Sequence, residues 1–240
     1  MTADPYELWV YLSRTPLLWL TLTLAAYALA DHFSILCRRN PLANPVLHAV
    51  WMLGLLLVVT NTSYADFFNG AQFVHFLLGP ATVALALPLY QNRARVFRAL
   101  VPMAAALFAG SLAAILSVIA CSYVFDLPKL VLISSLPKST TSGVAMGISQ
   151  STGGDASLTA IIVVATGIVG AVIASPLLNA MRVTDKRARG FSLGLAAHGV
   201  GTARAFQEHS LTGTFAGIAM GLNGILTAVL VPLVLAFFGF

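Results

Sequence analysis

Long apolar runs separated by short polar or basic punctuation fill this chain. The first run covers residues 16–37 and stops at Arg38-Arg39. Asn44-Pro45 opens a second, to about residue 60, and Asn61-Thr-Ser-Tyr-Ala-Asp66 is a polar turn. Residues 70–90 form a third run that carries Gly79-Pro80 inside it; Arg93, Arg95 and Arg98 follow, then an apolar run to about residue 124. Residues 127–136 are apolar up to Pro137-Lys-Ser-Thr-Thr-Ser-Gly143, and the helix resumes over 144–150. Gly153-Gly154-Asp155 is a turn, 158–181 a clear span, 190–207 a polar and glycine-rich segment, and 211–240 a last span. About 20 consecutive apolar residues cross a hydrocarbon core of roughly 30 Å, so the pattern predicts membrane helices. The interruptions matter because proline removes a backbone donor and clashes with the preceding turn. In lipid, the freed groups must find protein or water partners. Helix breaks are therefore expected at Gly79, Pro80, Pro137 and Gly143.

Composition agrees. Hydrophobic residues make up 58% and charged residues 9% of the 240, against about 25% charged in a soluble domain. Lipid is the expected solvent, and the length suits roughly seven to ten spans in one domain covering 1–240. The net charge of +5 gives no nucleic-acid face, because the basic residues sit in short loops. Cys37 and Cys121 fall in or beside apolar stretches and form no disulfide framework or zinc spacing. Arg14, the first apolar run and Ala28-Leu-Ala30 resemble a cleavable secretion signal; the segment is read as a retained first span.

Charge and repetition refine the picture. Gly79-Pro-Ala-Thr82 and Gly199-Val-Gly-Thr202 match glycine to glycine and threonine to threonine at half the length of the chain, which suggests two related halves, about 1–124 and 125–240. If every run crossed once, Arg38, Arg39 and the 93–98 arginines would share a side and the basic cluster at Arg182, Lys186, Arg187 and Arg189 would lie opposite, against the preference of positive loops for the cytoplasm. A re-entrant hairpin or a double crossing over 125–154 restores agreement and inverts the halves, a carrier design. The expected fold is thus all-α and polytopic, with inverted repeats and helices broken at mid-membrane. The breaks around Gly79-Pro80 and Gly199-Gly201 are expected to meet, with 137–143 beside them and Thr82 and Thr202 facing one cavity.

Candidate chemistry gathers at the breaks. Lys138 and Arg204 are the cations that fall inside apolar segments, where charge is costly and usually functional; each either meets an anionic substrate, aided by exposed N–H groups of a half-helix, or snorkels to an interface. Ser139, Thr140, Thr141 and Ser142 either bind substrate oxygens or satisfy their own helix carbonyls. His198 relays protons or donates to a carboxylate, or simply packs. Gly199 and Gly201 expose backbone or allow close helix packing. His32, His48, His75 and His209 show no metal spacing. Gly147-Ile-Ser149 with His198 is a loose serine–histidine match without the glycine that follows a nucleophile elbow, and Asp126 and Asp155 flank segments rather than pairing; an enzyme is not expected, and no cofactor.

Leu78-Gly-Pro-Ala-Thr-Val-Ala-Leu-Ala-Leu-Pro-Leu-Tyr90, Leu136-Pro-Lys-Ser139, Gly153-Gly154, Ala188-Arg-Gly190 and Ala197-His-Gly-Val-Gly-Thr-Ala-Arg204 resemble the LrgB/CidB family, the YohK-type bacterial inner-membrane proteins most of all, from about Asn44 to the C-terminus. That family usually shows Pro-Lys-Ser-Val-Thr-Thr-Pro. Here Thr140 stands for the valine, Ser142 for the second threonine and Gly143 for the proline, so a stiff kink becomes a flexible one. The resemblance implies two functions. One is holin/antiholin-like control of murein hydrolase export and autolysis. The other is transport of small carboxylates of the pyruvate, glycolate and glycerate type, as in the plastidial glycolate/glycerate translocator, which contains a similar domain. It implies as partner a separate small LrgA/CidA-type membrane protein. A homo-oligomer in the bacterial inner membrane is expected. Two broken segments within a repeat favour a carrier, because a pore built by simple assembly does not need them.

Overall fold

A computed structural model describes residues 15–84 and 86–239, apart from the side chains at 75, 78, 81, 82, 86 and 89. The described residues are helical, and they divide into two compact units, Met1–Ala84 and Leu85–Phe240.

In the first unit, α1 (Pro16–Leu36) packs against α2 (Pro45–Val59) and α3 (Tyr64–Phe76), and a short α4 (Leu78–Ala84) follows. Proline stands at the first helical position of both α1 and α2, where its missing N–H has no partner to lose. Asn44 caps α2 by accepting from the amides of Val46 and Leu47. Ser63 and Asp66 bond reciprocally at the start of α3. Trp19 is fully buried edge-on against Phe67. Gly70 lets α3 approach, since a Cβ there would lie 2.3 Å from the Pro16 carbonyl oxygen.

The second unit holds α5 (Ala86–Gln91), α6 (Arg93–Arg98), α7 (Leu100–Val124), α8 (Lys129–Ser135), α9 (Ser142–Ser151), α10 (Ala156–Ala180), α11 (Lys186–Glu208) and α12 (Ser210–Phe238). One core cluster joins Ile115 and Ile119 of α7, Ile133 of α8, Ile148 of α9 and Val231 of α12. A second joins Met103, Phe191, Leu195 and Phe215 from α7, α11 and α12. Helices α11 and α12 touch backbone to backbone: a Cβ on Gly190 or Gly194 would lie 2.0 Å from the carbonyl oxygen of Thr212 or Ala216. Such glycine contacts are how helices pack when lipid supplies no hydrophobic drive. The glycine at Gly239, φ 72°, ends α12 in a left-handed cap.

Four helices among the described residues, α1, α7, α10 and α12, are long and apolar enough to cross a membrane, fewer than the seven to ten expected. The difference has physical causes. Helix α2 has 15 residues, about 22 Å at 1.5 Å per residue. The 70–90 run is cut at Leu77 rather than at the Gly-Pro pair. Gly79 and Pro80 instead lie in the first turn of α4, where amides lack intrahelical partners and a proline is tolerated. Likewise Gly143 lies in the first turn of α9, and the break occupies 136–141. The signal-like reading begins at Arg14, outside the described residues.

Candidate functional site

Two chain reversals organise the Leu85–Phe240 unit. The first leaves α8 and returns at the start of α10. The Asp155 amide donates to Ser134 Oγ at 2.8 Å and Thr159 Oγ1 donates to the Ser134 carbonyl at 2.9 Å. The intervening residues therefore come back to where they left, so 135–154 is a returning excursion. Its apex, between α8 and α9, is held by local bonds. The amide and the hydroxyl of Thr140 both donate to the Pro137 carbonyl at 3.0 Å, and the Lys138 amide donates to Ser135.

The second reversal lies inside α11. Ala197 (φ −124°, ψ 16°) and His198 (φ 41°, ψ −127°) are not helical. In a straight helix, Arg189 and Glu208 would stand about 28 Å apart. Instead Arg189 Nη2 lies 3.3 Å from Glu208 Oε2, and a Cβ on Gly201 would meet the Leu193 carbonyl oxygen at 2.4 Å. The helix folds back on itself with His198 at the bend. That dihedral pair is the one glycine favours at the first corner of a type II′ turn, so a histidine there is held by its surroundings. The protonated His198 Nε2 donates to the Val163 carbonyl at 3.0 Å. The ring lies on Gly167, where a Cβ would meet Cε1 at 2.6 Å, and Ala197 lies on Gly170 in the same manner. Thr202 Oγ1 donates to the His198 carbonyl at 2.8 Å.

One side chain joins the two reversals. Asn223, in the middle of α12 and 1% exposed, donates from Nδ2 to the Ser139 carbonyl at 2.9 Å and to the Leu195 carbonyl at 3.2 Å. Its Oδ1 accepts from Ser111 of α7 at 2.6 Å and from Thr227 at 3.3 Å. Both carbonyls lie at the breaks: Ser139 is off-helix, and Leu195 is two residues before the non-helical Ala197. Asn223 fills the bonding capacity of its amide by satisfying them.

The expected site residues distribute around this arrangement. Ser139 and Thr140 are buried at the first apex, Thr141 and Ser142 are half-buried, and Gly143 is exposed. Lys138 donates through Nζ to the Ala114 carbonyl of α7 at 3.3 Å. His198, Gly201 and Thr202 are buried at the second bend, while Gly199 is exposed. Arg204 lies on the returning limb toward its base, 4.0 Å from Glu208 Oε1 and 3.5 Å from Gln207 Oε1, so it and Lys138 engage different elements. Gly79 and Pro80 are exposed on α4 in the other unit, and the Thr82 side chain is outside the described residues. Ser149 bonds to Thr159 at 2.8 Å and His198 to the Val163 carbonyl, so the two engage different partners. Sequence reasoning missed Asn223, Ser111 and Thr159; a lone asparagine in a 29-residue apolar helix was the available signal.

The base of the second reversal is strongly basic. Arg182, Lys186 and Arg189 line a cavity of about 600 Å³ with Glu208. A second cavity, about 390 Å³, is lined by Arg98 together with Asp185 and Arg187. The segments at 93–98 and 182–189 thus share one end of the unit. Asp185 caps α11 and bonds Arg187, and the guanidinium holds its carboxyl down to about 2.

The LrgB-like family matches residues 23–237. The chain is 30% identical over 200 residues to "Holin-like protein CidB" of Staphylococcus epidermidis, covering 83% of this chain and 87% of the relative. It is 30% identical over 199 residues to the protein of the same name in Staphylococcus aureus, with the same coverage. It is 31% identical over 219 residues to YxaC of Bacillus subtilis, covering 90% and 94%. No solved structure matches the chain.

Proposed function

This chain belongs to the LrgB-like family of helical membrane proteins, and on that footing we propose that it acts as a holin-like modulator of murein hydrolase export and autolysis in the bacterial inner membrane, with a small LrgA/CidA-type membrane protein as partner. The observation that carries this reading is the 30% identity, over most of both chains, to proteins named holin-like. Controlled production of the chain in a bacterium, with and without such a partner, tests it. The expected result is a changed rate of autolysis and of murein hydrolase release; unchanged rates at full expression reject it.

A second reading, a carrier for small monocarboxylates, is favoured by a separate observation. The polar groups of the Leu85–Phe240 unit converge inside the unit, on Asn223 and His198, whereas its outer helix faces are apolar. Self-assembly into a pore calls for polar groups on outer faces. Two returning segments that meet at a buried polar point are what alternating access uses. In this reading, Lys138 and the hydroxyls of Ser139–Ser142 hold the substrate at the first apex, His198 and Thr202 contribute from the second, and Arg204 attracts the anion from the limb. Saturable uptake of labelled pyruvate, glycolate or glycerate into liposomes is the expected result, weakened by Lys138→Gln and Arg204→Gln; affinity unchanged in both variants counts against it. Either reading places the basic end, with Arg93 and Arg187, in the cytoplasm and the halves in inverted topology. Cysteine labelling from each side checks this, and labelling of the two positions from opposite sides overturns it. Neither reading assigns the chain an enzymatic step.

A further inference from the structure

At the base of the second reversal, basic residues converge on one space that neither functional reading uses. Arg182, Lys186 and Arg189 line a single cavity of about 600 Å³, together with Asn179, Thr184 and Glu208. Among the described residues Glu208 is the one carboxylate on that lining, and it is already engaged. It accepts from the Ser175 hydroxyl and from Arg189 Nη2 at 3.3 Å, with Arg204 Nε at 4.0 Å. Arg182 and Lys186 make no ion pair among the described residues. The neighbouring cavity differs, because there Arg187 is answered by Asp185 at 2.6 Å. Three cations against one carboxylate leave two positive charges in the larger cavity without an anion.

The backbone adds to this excess. Lys186 is the first residue of α11 and His209 caps α12, and both line the cavity. A helix start carries roughly half a positive charge and disfavours a cation, so Lys186 stands where its own helix opposes it. Arg182 follows the end of α10 in the left-handed region, φ 56°, a corner that glycine or asparagine usually takes. Two unusual placements thus bring charge to the same space. Neutral donors are at hand too. Arg189 Nη1 donates to Asn179 Oδ1 at 2.8 Å, which leaves the Asn179 amide group to donate, and the Thr184 hydroxyl lies on the lining.

We propose that this cavity binds a phosphate group, with Arg182 and Lys186 as its charged ligands and the Asn179 amide and Thr184 hydroxyl as neutral donors. Charge decides the class. A phosphate monoester carries about −1.5 to −2 at pH 7, which matches the excess of two positive charges better than a monocarboxylate does. Arginine offers phosphate oxygens a fork of donors, and lysine offers a point charge. Glu208 is the resident anion of the cavity: it neutralises Arg189 and repels a second anion. At about 600 Å³ the space is of the size that small-molecule sites have, so the organic part of a phosphate ester has room beside the group. Two sources present this chemistry at a membrane surface. One is a phospholipid headgroup, which basic pockets between the ends of membrane helices bind; the other is a soluble phosphate ester.

The test is binding, so it does not depend on either functional reading. The purified full chain in non-ionic detergent is melted with inorganic phosphate, glycerol phosphate, acetate or chloride at equal ionic strength, and separately with phosphatidic acid or phosphatidylcholine in the micelles. The expected result is a melting temperature that rises and saturates with a phosphate-bearing ligand, as for a ligand bound only by the folded state, and does not rise with acetate, chloride or phosphatidylcholine. A response to the soluble phosphates assigns the site to a soluble ester; a response to phosphatidic acid alone assigns it to the lipid. Arg182→Gln and Lys186→Gln change exposed residues and should each weaken binding about threefold to tenfold, the size of one charge-assisted bond at a surface. Glu208→Gln removes the repelling charge and should tighten binding, which a carboxylate with a structural role alone does not predict. Equal melting in phosphate, phosphatidic acid, acetate and chloride overturns the proposal. So does a phosphate response that survives in the Arg182→Gln/Lys186→Gln double variant, or looser binding in folded Glu208→Gln. If Glu208→Gln fails to fold, the ligand series and the two exposed variants decide alone.

Discussion

The two reversals of the Leu85–Phe240 unit do the same thing by different means. The excursion over 135–154 leaves the helix for six residues, 136–141, and repairs its backbone locally through Pro137, Thr140 and Ser135. The reversal in α11 turns within two residues, at Ala197 and His198, and leaves a non-glycine residue at φ 41°. The first uses hydroxyls and a proline; the second uses strain offset by neighbours, namely Val163, Gly167 and Gly170 on α10. The contrast shows that a polar, glycine-bearing stretch in an apolar chain can supply its own partners or borrow them. The borrowed kind makes the structure depend on a distant helix. Asn223 is where the two cases meet, because its side chain donates to one carbonyl from each reversal.

Removing Asn223 should therefore damage both reversals at once and give the largest effect. Asn223→Ala orphans the Ser139 and Leu195 carbonyls and the Ser111 hydroxyl. Each unsatisfied buried group costs about 1–3 kcal/mol, and measured side-chain bonds within membranes fall at the lower end, so a loss on the order of 3 kcal/mol is expected in thermal unfolding of the detergent-purified protein. Asn223→Asp keeps the acceptor for Ser111 and loses both donors, and should be no better than Asn223→Ala. A melting temperature within a degree or two of the native value in both variants would show that the reversals do not depend on this bridge.

His198 separates the two kinds of reversal. Holding a non-glycine residue in such a dihedral costs roughly 1–3 kcal/mol, while its bond to Val163 contributes about 1 kcal/mol. His198→Gly loses the bond and relieves the strain, so its stability should lie close to native. His198→Ala loses the bond and keeps the strain, and should fall by roughly 1–2 kcal/mol. The ordering, glycine above alanine, is the reverse of that expected within a regular helix. Alanine above glycine in denaturation of the two variants would mean that position 198 is helical and the second reversal absent.

How much of this was legible in the sequence follows from which partners each feature uses. The first apex was legible, because Pro137 and four neighbouring hydroxyls supply the break and its repair in one stretch. The basic loops at 93–98 and 182–189 were legible too, and their sharing of one end follows from charge and from a returning 125–154 segment. The bend at His198 was marked only by its glycines, Gly199 and Gly201; which residue carries the unusual dihedral depends on α10 packing, which no local pattern displays. Asn223 was passed over because a single amide in an apolar helix has no periodicity. The hydroxyls of Ser134 and Thr159 look like ordinary helix residues until the chain returns. In the 70–90 run the expected break at Gly79-Pro80 fell at Leu77 instead, because a proline can open a helix as readily as close one.

Gly143 offers a milder probe of the first reversal. It lies in the first turn of α9, and a Cβ there meets nothing within 4 Å. Gly143→Pro removes an amide that has no intrahelical partner and restricts the unfolded chain, so stability should stay level or rise by up to about 1 kcal/mol. Thermal melting measures it. A loss of more than that would mean that the Gly143 amide is bonded at the apex, and that the first reversal also borrows its partners.

The smallest effect expected is at the outer end of the second reversal, where charge assists the backbone. Asp185 caps the outgoing limb of α11 and bonds Arg187, whereas Pro128, at the corresponding end of α8, offers no side-chain cap. The Asp185 carboxyl is held down to about 2 in the folded protein, below its ordinary value near 3.9. The sign follows from proton binding: a group with a depressed folded pKa stabilises the fold above its unfolded pKa, and that contribution disappears as pH falls toward the folded value. The native chain should therefore melt slightly above Asp185→Asn at about pH 5, with the gap closing as pH falls toward about 2. Solvent reaches this pair, so the gap should be small and should shrink in salt. Hydrogen exchange over the same range should quicken in 186–196 and leave 129–135 unchanged. A gap that stays constant with pH would assign the capping to the shape of the side chain rather than to its charge, and would erase this last difference between the reversals.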